Sequence, residues 1–283
     1  MLRLYCVALA AAGALMSHPA ITRTANAQSP KGAAVSAQVS PDILKDLAPT
    51  GQLRAAINYG NGVLAQRGAN EQDARGISAD LARELGRRLG VPVHFVGFDA
   101  AGKVFEALQA PADDPKKWDI AFLAIEPVRA AEIAFTAPYV LIEGTYMVKK
   151  DSPLQKVDDV DRPGIRIAVG PNSAYDLYLT RTLKHAQLVR AEAGGGRAMI
   201  DLFLKDNLDA AAGVRQPLED YAKSDPSVRV MSDRFMDIRQ AMGTPQGRPA
   251  GAAYLRVFVE EMKASGFVAD ALKSSSQQAT VAP

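Results

Sequence analysis

The chain has 283 residues, with 33 lysines and arginines against 31 aspartates and glutamates, and 48% of its residues are hydrophobic. This length is sufficient for one large domain or two small domains, each with a substantial core. A formal net charge of +2 excludes the strongly basic surface typical of proteins whose main partner is nucleic acid or an anionic membrane.

The N-terminus has the pattern of a secretory signal peptide. Arg3 supplies a positive charge, residues 4–16 form an uncharged and mostly apolar run, and Ala25-Asn26-Ala27 offers a small-x-small cleavage site. The alternative, a membrane anchor, is disfavoured because the run of 13 residues is shorter than the roughly 20 that a spanning helix needs. We therefore predict cleavage after Ala27 (residues 1–27 removed) and a periplasmic location for the remaining chain.

Cysteine and histidine are too scarce after the predicted signal to indicate a covalent or metal site. The only cysteine, Cys6, lies within the signal, which excludes a disulfide, a thiol nucleophile and cysteine-ligated zinc in the mature chain. The histidines that follow, His94 and His185, are far apart and lack the H-E-x-x-H pattern. We expect neither a metal nor a cofactor.

Strand-like and helix-like segments alternate after a leader, 28–45, that we expect to be flexible. Apolar residues recur every four positions from Ile77 to Leu89 and predict a helix that ends at Gly90. The order βαβαβ indicates an open, mostly parallel sheet. The elements of this first segment are strands at 53–57, 91–98 and 119–124 and helices at 77–90 and 104–108.

The same alternation starts again downstream and predicts a second α/β unit. With a connection near 144–150, the two units predict two lobes, one from 46–144 plus 240–283 and the other from 145–239. The remaining predicted elements are strands at 165–169, 188–190, 208–213 and 228–231, an extended segment at 238–242, and helices at 173–183, 198–207, 216–223, 252–265 and 267–274.

Several short motifs follow one another within this frame. They are Gly76 with Asp80-Leu81-Ala82, then Leu89-Gly90-Val91, then Trp118-Asp119-Ile120-Ala121, Pro127-Val128-Arg129 and Phe135-Thr136-Ala137-Pro138-Tyr139. In this order, behind a signal peptide, they resemble the family 3 extracellular solute-binding proteins, the polar amino-acid receptors of ABC transporters. The resemblance covers about 53–267.

This resemblance implies a type II periplasmic-binding-protein fold, with two α/β lobes, each a mostly parallel sheet flanked by helices, joined by two crossover strands. The chain is then expected to cross near Tyr146 and to return near Ile238. The implied function is transport: a monomer binds a small carboxylate-bearing ligand, an amino acid or another organic acid, between the lobes. The implied partner is the membrane permease of an ABC transporter.

Arg129 is the strongest candidate for ligand binding. It follows a buried strand, and Pro127 fits the first helical turn, where its missing N–H has no partner to lose. A guanidinium there can bind a carboxylate through two parallel hydrogen bonds, beside the free amides of a helix start. The matching Arg of the family holds the ligand's carboxylate. A surface ion pair with Glu126 or Glu132 is the alternative.

The other carboxylate-binding positions of the family are only partly kept. Ala124 stands where the family often has Ser, and Glu126 stands where it has Thr. Glu126 is compatible with a helix cap, a pair with Arg129, or a contact to a ligand amine. Ser173 matches the Ser of the family's Gly-Ser-Thr turn and is also a suitable N-cap, whereas Ala174 replaces the Thr.

The acidic residue that binds the ligand's amine in the family is missing. The matching position is Gly213 or Val214, and Arg215 comes next. An ammonium would then lack a counter-ion in a closed cleft, which is costly. This departure favours an acid without an α-amine, or one with a second anionic group for Arg215; the alternative is that Arg215 is an ordinary surface residue.

The loop after the first strand carries three further candidates. Asn58 takes the position of an acidic residue in the family, and Asn61 takes approximately that of an aromatic residue. For Tyr59 the sequence leaves three placements open: facing the cleft, in the core or on the surface. Two asparagines and two glycines in this loop suggest close backbone approach to a polar ligand.

Two other functions are compatible with the same scaffold, since fold does not determine function. Periplasmic cyclohexadienyl dehydratases resemble this family, but they need a general acid in the cleft. Only Glu126, Glu143 and Glu219 are available for that role, so we expect no catalytic residue. The third function is sensory or accessory, in which ligand is presented to a receptor or another enzyme.

Overall fold

The computed structural model describes residues 39–70, 72–195 and 197–283. The predicted signal peptide and most of the predicted leader lie outside these residues. The described part has a mixed α/β fold, in which a ten-stranded sheet is flanked by helices. None of its helices combines the length and apolar character that crossing a membrane would require.

The first α/β part confirms the predicted order of strands and helices. β1 pairs in parallel with both β2 and β3, and the helix that follows β1 ends at Gly90, whose φ of 70° is the left-handed conformation that favours glycine there. The elements are α1 (Pro41–Leu47), β1 (Leu53–Asn58), α2 (Ile77–Leu89), β2 (Val93–Phe98), α3 (Ala101–Glu106), a 3-10 turn (Ala107–Gln109), β3 (Ile120–Ala124) and α4 (Pro127–Ala130).

Helix α1 corrects the expectation that the leader is flexible as far as residue 45. Ser40 caps this helix by accepting the Ile43 N–H, and the Asp46 carboxylate accepts the Gly251 N–H at 2.9 Å. A distant segment thus stabilises α1, which is why local composition did not reveal it.

Two long antiparallel strands join the two α/β parts. They are β4 (Ile133–Lys149) and β9 (Met236–Pro245), which pair from Ile133 with Pro245 to Gly144 with Met236. β4 goes on to pair with β7 of the second part, and β9 pairs with β3 of the first. The predicted crossings near Tyr146 and Ile238 lie in these strands, so both crossover strands are confirmed.

The second α/β part repeats the parallel arrangement, with β5 between β6 and β7. Its elements are β5 (Arg166–Val169), α5 (Ala174–Thr182), β6 (Gln187–Arg190), α6 (Ala198–Lys205), β7 (Ala210–Val214), α7 (Arg215–Ser224) and β8 (Val228–Val230). The chain continues through β9 to α8 (Pro249–Ala264), α9 (Phe267–Ser274) and a short β10 (Thr280–Val281), which pairs with β4. The lobe limits given above stay a prediction.

Each α/β part has its own apolar packing. Trp118 and Val104 belong to one cluster in the first part, and Phe203 and Leu218 belong to another in the second. The five residues of β3 are all buried, as expected for a parallel strand covered on both faces. With both faces covered, loops at the carboxyl ends of the strands are left to form a site.

Candidate functional site

A cavity of about 510 Å³ lies where loops from both α/β parts meet. Its lining includes the carboxyl-terminal residues of three parallel strands, Asn58 of β1, Ala124 of β3 and Val214 of β7. Open α/β sheets bind ligands at this edge, and the volume falls in the usual range for small-molecule sites.

Seven of the nine residues predicted to bind ligand line this cavity. The exceptions are Glu126 and Arg215. Within the described residues, no group of three or more histidines, cysteines or carboxylates is placed to hold a metal ion. The seven predicted residues that line the cavity are Asn58, Tyr59, Asn61, Ala124, Arg129, Ser173 and Ala174.

Arg129 is the most buried charged group of the cavity, with 1% of its surface exposed. Its guanidinium donates to the carbonyl oxygens of Ala124 at 3.2 Å and Asn172 at 2.8 Å. Desolvation lowers the pKa of Arg129 to about 10, against the opposing negative charge of Glu126. Among the described residues, no carboxylate comes within 4.0 Å of this guanidinium to form an ion pair. The side chain is a buried cation whose nearest acceptors are neutral.

The start of α5 lies beside this cation. Ser173 caps the helix, because its hydroxyl accepts the Asp176 N–H at 3.1 Å. The Asp176 carboxylate is already paired with Arg190 at 2.9 Å. The amide groups of the first turn, at Ala174 and Tyr175, have no helical acceptor, and both residues line the cavity. Backbone donors and a guanidinium therefore converge on one space, which suits an anion.

The loop after β1 forms the opposite wall. The Asn58 side-chain oxygen accepts the Gly60 N–H at 3.1 Å and so turns the chain. The Asn61 side-chain oxygen is buried with no hydrogen-bond partner among the described residues. The guanidinium of Arg67 covers the Tyr59 ring at 4.2 Å from its centroid.

Two glycines let the two α/β parts approach each other beside the cavity. A Cβ on either Gly60 or Gly195 would collide with the Asp99 carbonyl oxygen, and the two glycine backbones themselves face each other there. Gly195 also has a φ of 84°, which disfavours any side chain. The close approach seen in this loop is to other backbone segments, and the predicted approach to a polar ligand stays a prediction.

Glu126 neither caps the helix nor forms an ion pair with Arg129, and it does not line the cavity. Its side chain makes no cap hydrogen bond, and instead it accepts from the Arg181 guanidinium on α5 at 2.6 Å. The Glu126 side chain is 4% exposed and the Arg181 side chain is 43% exposed. This ion pair joins the end of β3 to α5, and hence one α/β part to the other.

Arg215 is a structural residue at the first turn of α7, which corrects its assignment to the ligand. Its guanidinium pairs with Glu143 and donates to the carbonyl oxygens of Met231, Ser232 and Asp233 at 2.8 to 3.0 Å. These acceptors account for its charge and most of its donors, and Arg215 is not among the residues that line the cavity.

Several lining residues were missed from the sequence. Gln240 lies on the crossover strand β9, and Tyr175 and Tyr221 lie on helices, so no strand-end motif marked them. Of the two positions considered for the missing acid, Val214 lines the cavity, whereas a Cβ on Gly213 would lie 2.7 Å from the Met199 methyl group. A pattern of inward-facing residues on β9 was the one signal available for Gln240.

Comparisons with known proteins agree with this architecture. The sequence profile of the bacterial extracellular solute-binding proteins, family 3, matches residues 65–274, and the chain belongs to this family. No curated protein sequence matches the chain significantly.

Solved structures with the same fold include three that are similar over most of their length. A mutant of ArgBP from T. maritima is 19% identical, over 82% of this chain and 98% of that chain, with a TM-score of 0.66. The ancestral amino acid-binding protein AncCDT-1, described as a precursor of cyclohexadienyl dehydratase, is 22% identical over 82% and 97%, with a TM-score of 0.66. AbpA from Streptococcus pneumoniae, bound to L-arginine, is 16% identical over 81% and 96%, with a TM-score of 0.66.

Proposed function

We propose that this chain is the periplasmic binding component of an ABC-type uptake system and binds a small carboxylate-bearing ligand in the cavity around Arg129. The ligand is then delivered to a membrane permease by a monomer. Family membership and the predicted signal peptide support the compartment and the transport role.

The observation that carries the proposal is the electrostatic state of Arg129. A buried cation without an anion partner is costly, and here the nearest acceptors are two backbone carbonyls. A ligand carboxylate between the guanidinium and the first turn of α5 would supply the missing negative charge. That gain in free energy is available only with ligand bound.

Closure of two lobes provides the proposed mechanism. We place the lobe limits at 46–144 plus 240–283 and 145–239, so that bending in β4 and β9 separates or joins the two cavity walls. The contacts of Gly60 with Gly195 and of Glu126 with Arg181 would then form on closure. A permease that recognises the closed form would respond to ligand occupancy.

The placement of the candidate general acids favours binding over catalysis. Glu143 and Glu219 are bound to Arg215, and Glu126 is bound to Arg181. None of the three lines the cavity. A dehydratase-like reaction would need one of them to face the substrate.

Binding is tested by a thermal-shift screen of carboxylic acids and amino acids, followed by calorimetry on each acid that raises the melting temperature. Arg129→Met should weaken binding of such acids by roughly 100-fold, because charge-assisted hydrogen bonds to a buried group are lost. The matched control is Arg75→Met, since Arg75 is exposed and remote from the cavity. Equal affinity of the Arg129 variant and the wild type would contradict the proposal.

Delivery is tested separately in cells. Deletion of the gene that encodes this protein should abolish uptake of the acid identified by calorimetry. If cells without the protein still take up the acid but no longer respond to it, the protein presents the acid to a receptor instead.

A further inference from the structure

The charges around the cavity are distributed unevenly. Of the described residues that line it, only Arg129, Arg197 and Asp220 are charged. Arg197 and Asp220 are exposed at the rim and are paired with Asp201 at 3.0 Å and Lys223 at 2.8 Å. The buried lining therefore contains a cation and no carboxylate. A ligand ammonium would enter next to a positive charge without a counter-ion, and both effects oppose it.

Aromatic rings offer a second way to hold a cation, but two of the rings here are already covered. The cavity contains Tyr59, Tyr175 and Tyr221. The Arg67 guanidinium lies 4.2 Å from the Tyr59 centroid and the Arg197 guanidinium lies 4.6 Å from that of Tyr221. Because an arginine already lies over one face of each of these two rings, its positive charge opposes the binding of an ammonium at Tyr59 or Tyr221.

Much of the remaining lining is apolar. It includes buried aliphatic side chains from β3, α6 and β9, together with Val214 at the end of β7, where it faces the cavity. Such a surface gains free energy in proportion to the apolar area that a ligand covers, and the tyrosine rings add edge and face contacts for an aromatic group. The apolar side chains are Leu123, Met199, Ile200, Val214, Pro217 and Ile238.

Apart from Arg129 and the two paired charges at the rim, the polar side chains of the lining are neutral and few. Asn58, Asn61 and Gln240 contribute side-chain amides, and Ser173 contributes a hydroxyl at the start of α5. These groups can orient a carboxylate or a hydroxyl substituent, but none can neutralise a positive charge.

The cavity combines one buried cation, an apolar wall and a few neutral polar groups. From this combination we infer that the ligand is a carboxylic acid with an apolar body, the size of a phenyl ring or a branched alkyl chain, and no α-ammonium group. The inference rests on the proposed function and concerns the same cavity. Its carboxylate lies against Arg129 and the first turn of α5, and its apolar body lies against Val214, Met199 and Tyr221.

Matched ligands test this specificity directly. 3-Phenylpropionate and L-phenylalanine differ only in the α-ammonium group, and 4-methylpentanoate and L-leucine form the aliphatic pair. By calorimetry, each acid should bind the wild-type protein at least ~10-fold more tightly than its amino acid, a difference of about 1.4 kcal/mol. 3-Phenylpropanamide, which lacks the carboxylate, and propionate, which lacks the body, should each bind at least ~10-fold more weakly than 3-phenylpropionate.

Two variants of Val214 test whether this residue sets the preference for an acid over the matching amino acid. Val214→Asp adds a carboxylate to the wall and should shift the ratio of affinities toward L-phenylalanine by at least ~10-fold. Val214→Asn has nearly the same shape without the charge and should leave the ratio within ~3-fold of wild type. If Val214→Asp does not fold, as judged by circular dichroism, the wild-type comparison of matched ligands still decides the question.

The outcomes separate the two proposals. Equal or tighter binding of the amino acids, dependent on Arg129, would overturn the inference and leave the proposed function in place. Arg129-dependent binding of only small polar acids would have the same meaning. Failure of every acid and amino acid to bind would overturn the proposed function itself.

Discussion

Two regions of the molecule present the same side chain in the same local setting, yet differ in what surrounds it. Arg129 and Arg215 each lie in the first turns of a helix that directly follows a buried strand. Arg215 is held by Glu143 and three backbone carbonyls. Arg129, more deeply buried, contacts two carbonyls and no carboxylate among the described residues. The binding role proposed for Arg129 therefore rests on a charge without a carboxylate partner rather than on its position along the chain.

The largest expected difference between Arg129 and Arg215 is in their effect on the free energy of unfolding of the ligand-free protein. Arg215→Met should lower the free energy of unfolding by about 2 kcal/mol, because Glu143 and three carbonyls lose a partially buried donor. Arg129→Met should lower that free energy by less or leave it unchanged, because the loss of hydrogen bonds to two carbonyls is offset by removal of a buried charge that has no carboxylate partner. Urea denaturation, followed by circular dichroism, measures both.

The comparison breaks if Arg129→Met destabilises the protein as much as Arg215→Met does. Arg129 would then hold the fold together, and its burial would need no ligand to explain it. Binding measurements on Arg215→Met supply the converse control, since its affinity for the acids should match that of wild type.

A smaller effect is expected at the ion pair between Glu126 and Arg181, which links the two α/β parts. Arg181→Gln should weaken ligand binding by about 3-fold through faster dissociation, since partly exposed ion pairs contribute below about 1 kcal/mol. Stopped-flow release of a bound acid measures the rate. Lys184→Gln, an exposed residue just after α5, is the control. An unchanged release rate for Arg181→Gln would show that this pair does not support the closed form.

The smallest effect is expected at Glu84. Its partner Arg88 lies between α2 and α8 and has two carboxylate partners. It pairs with Glu84 at 2.9 Å and with Glu261. Hydrogen bonds from Arg87 and Arg88 lower the pKa of Glu84 to about 2. The stabilisation by Glu84 is therefore fully present above the ordinary pKa near 4.5 and is lost as pH falls toward 2.

Glu84→Gln should accordingly cost less than about 1 kcal/mol of unfolding free energy at pH 7. The difference from wild type should disappear as the pH approaches 2. Urea denaturation at several pH values checks the slope, and a difference that grows on acidification would contradict the sign of this pKa shift.

Much of the fold was predictable because its determinants are local. The four-residue spacing of apolar side chains from Ile77 to Leu89, the left-handed Gly90 and the Ser173 cap each involve neighbours within one or two turns of chain. The wholly apolar β3 needed no knowledge of its partners either. The motifs that follow such elements also led to Arg129 and to six further residues of the cavity wall.

The parts that were missed depend on residues distant in sequence. Helix α1 is stabilised through Asp46 by Gly251, and Glu126 is paired with Arg181 of another element. Tyr175, Tyr221 and Gln240 enter the cavity because of how α5, α7 and β9 are oriented. Local pattern gives no information on such orientations.

The amino-acid sequence by itself determined the two α/β units, the family resemblance and the candidate cation at the end of β3. Only the tertiary structure decided which arginine lacks a carboxylate, which residue faces the cavity at the end of β7, and how apolar that cavity is. The physical reason is that secondary structure follows from interactions between near neighbours, whereas the satisfaction of a buried charge depends on groups brought together from distant segments.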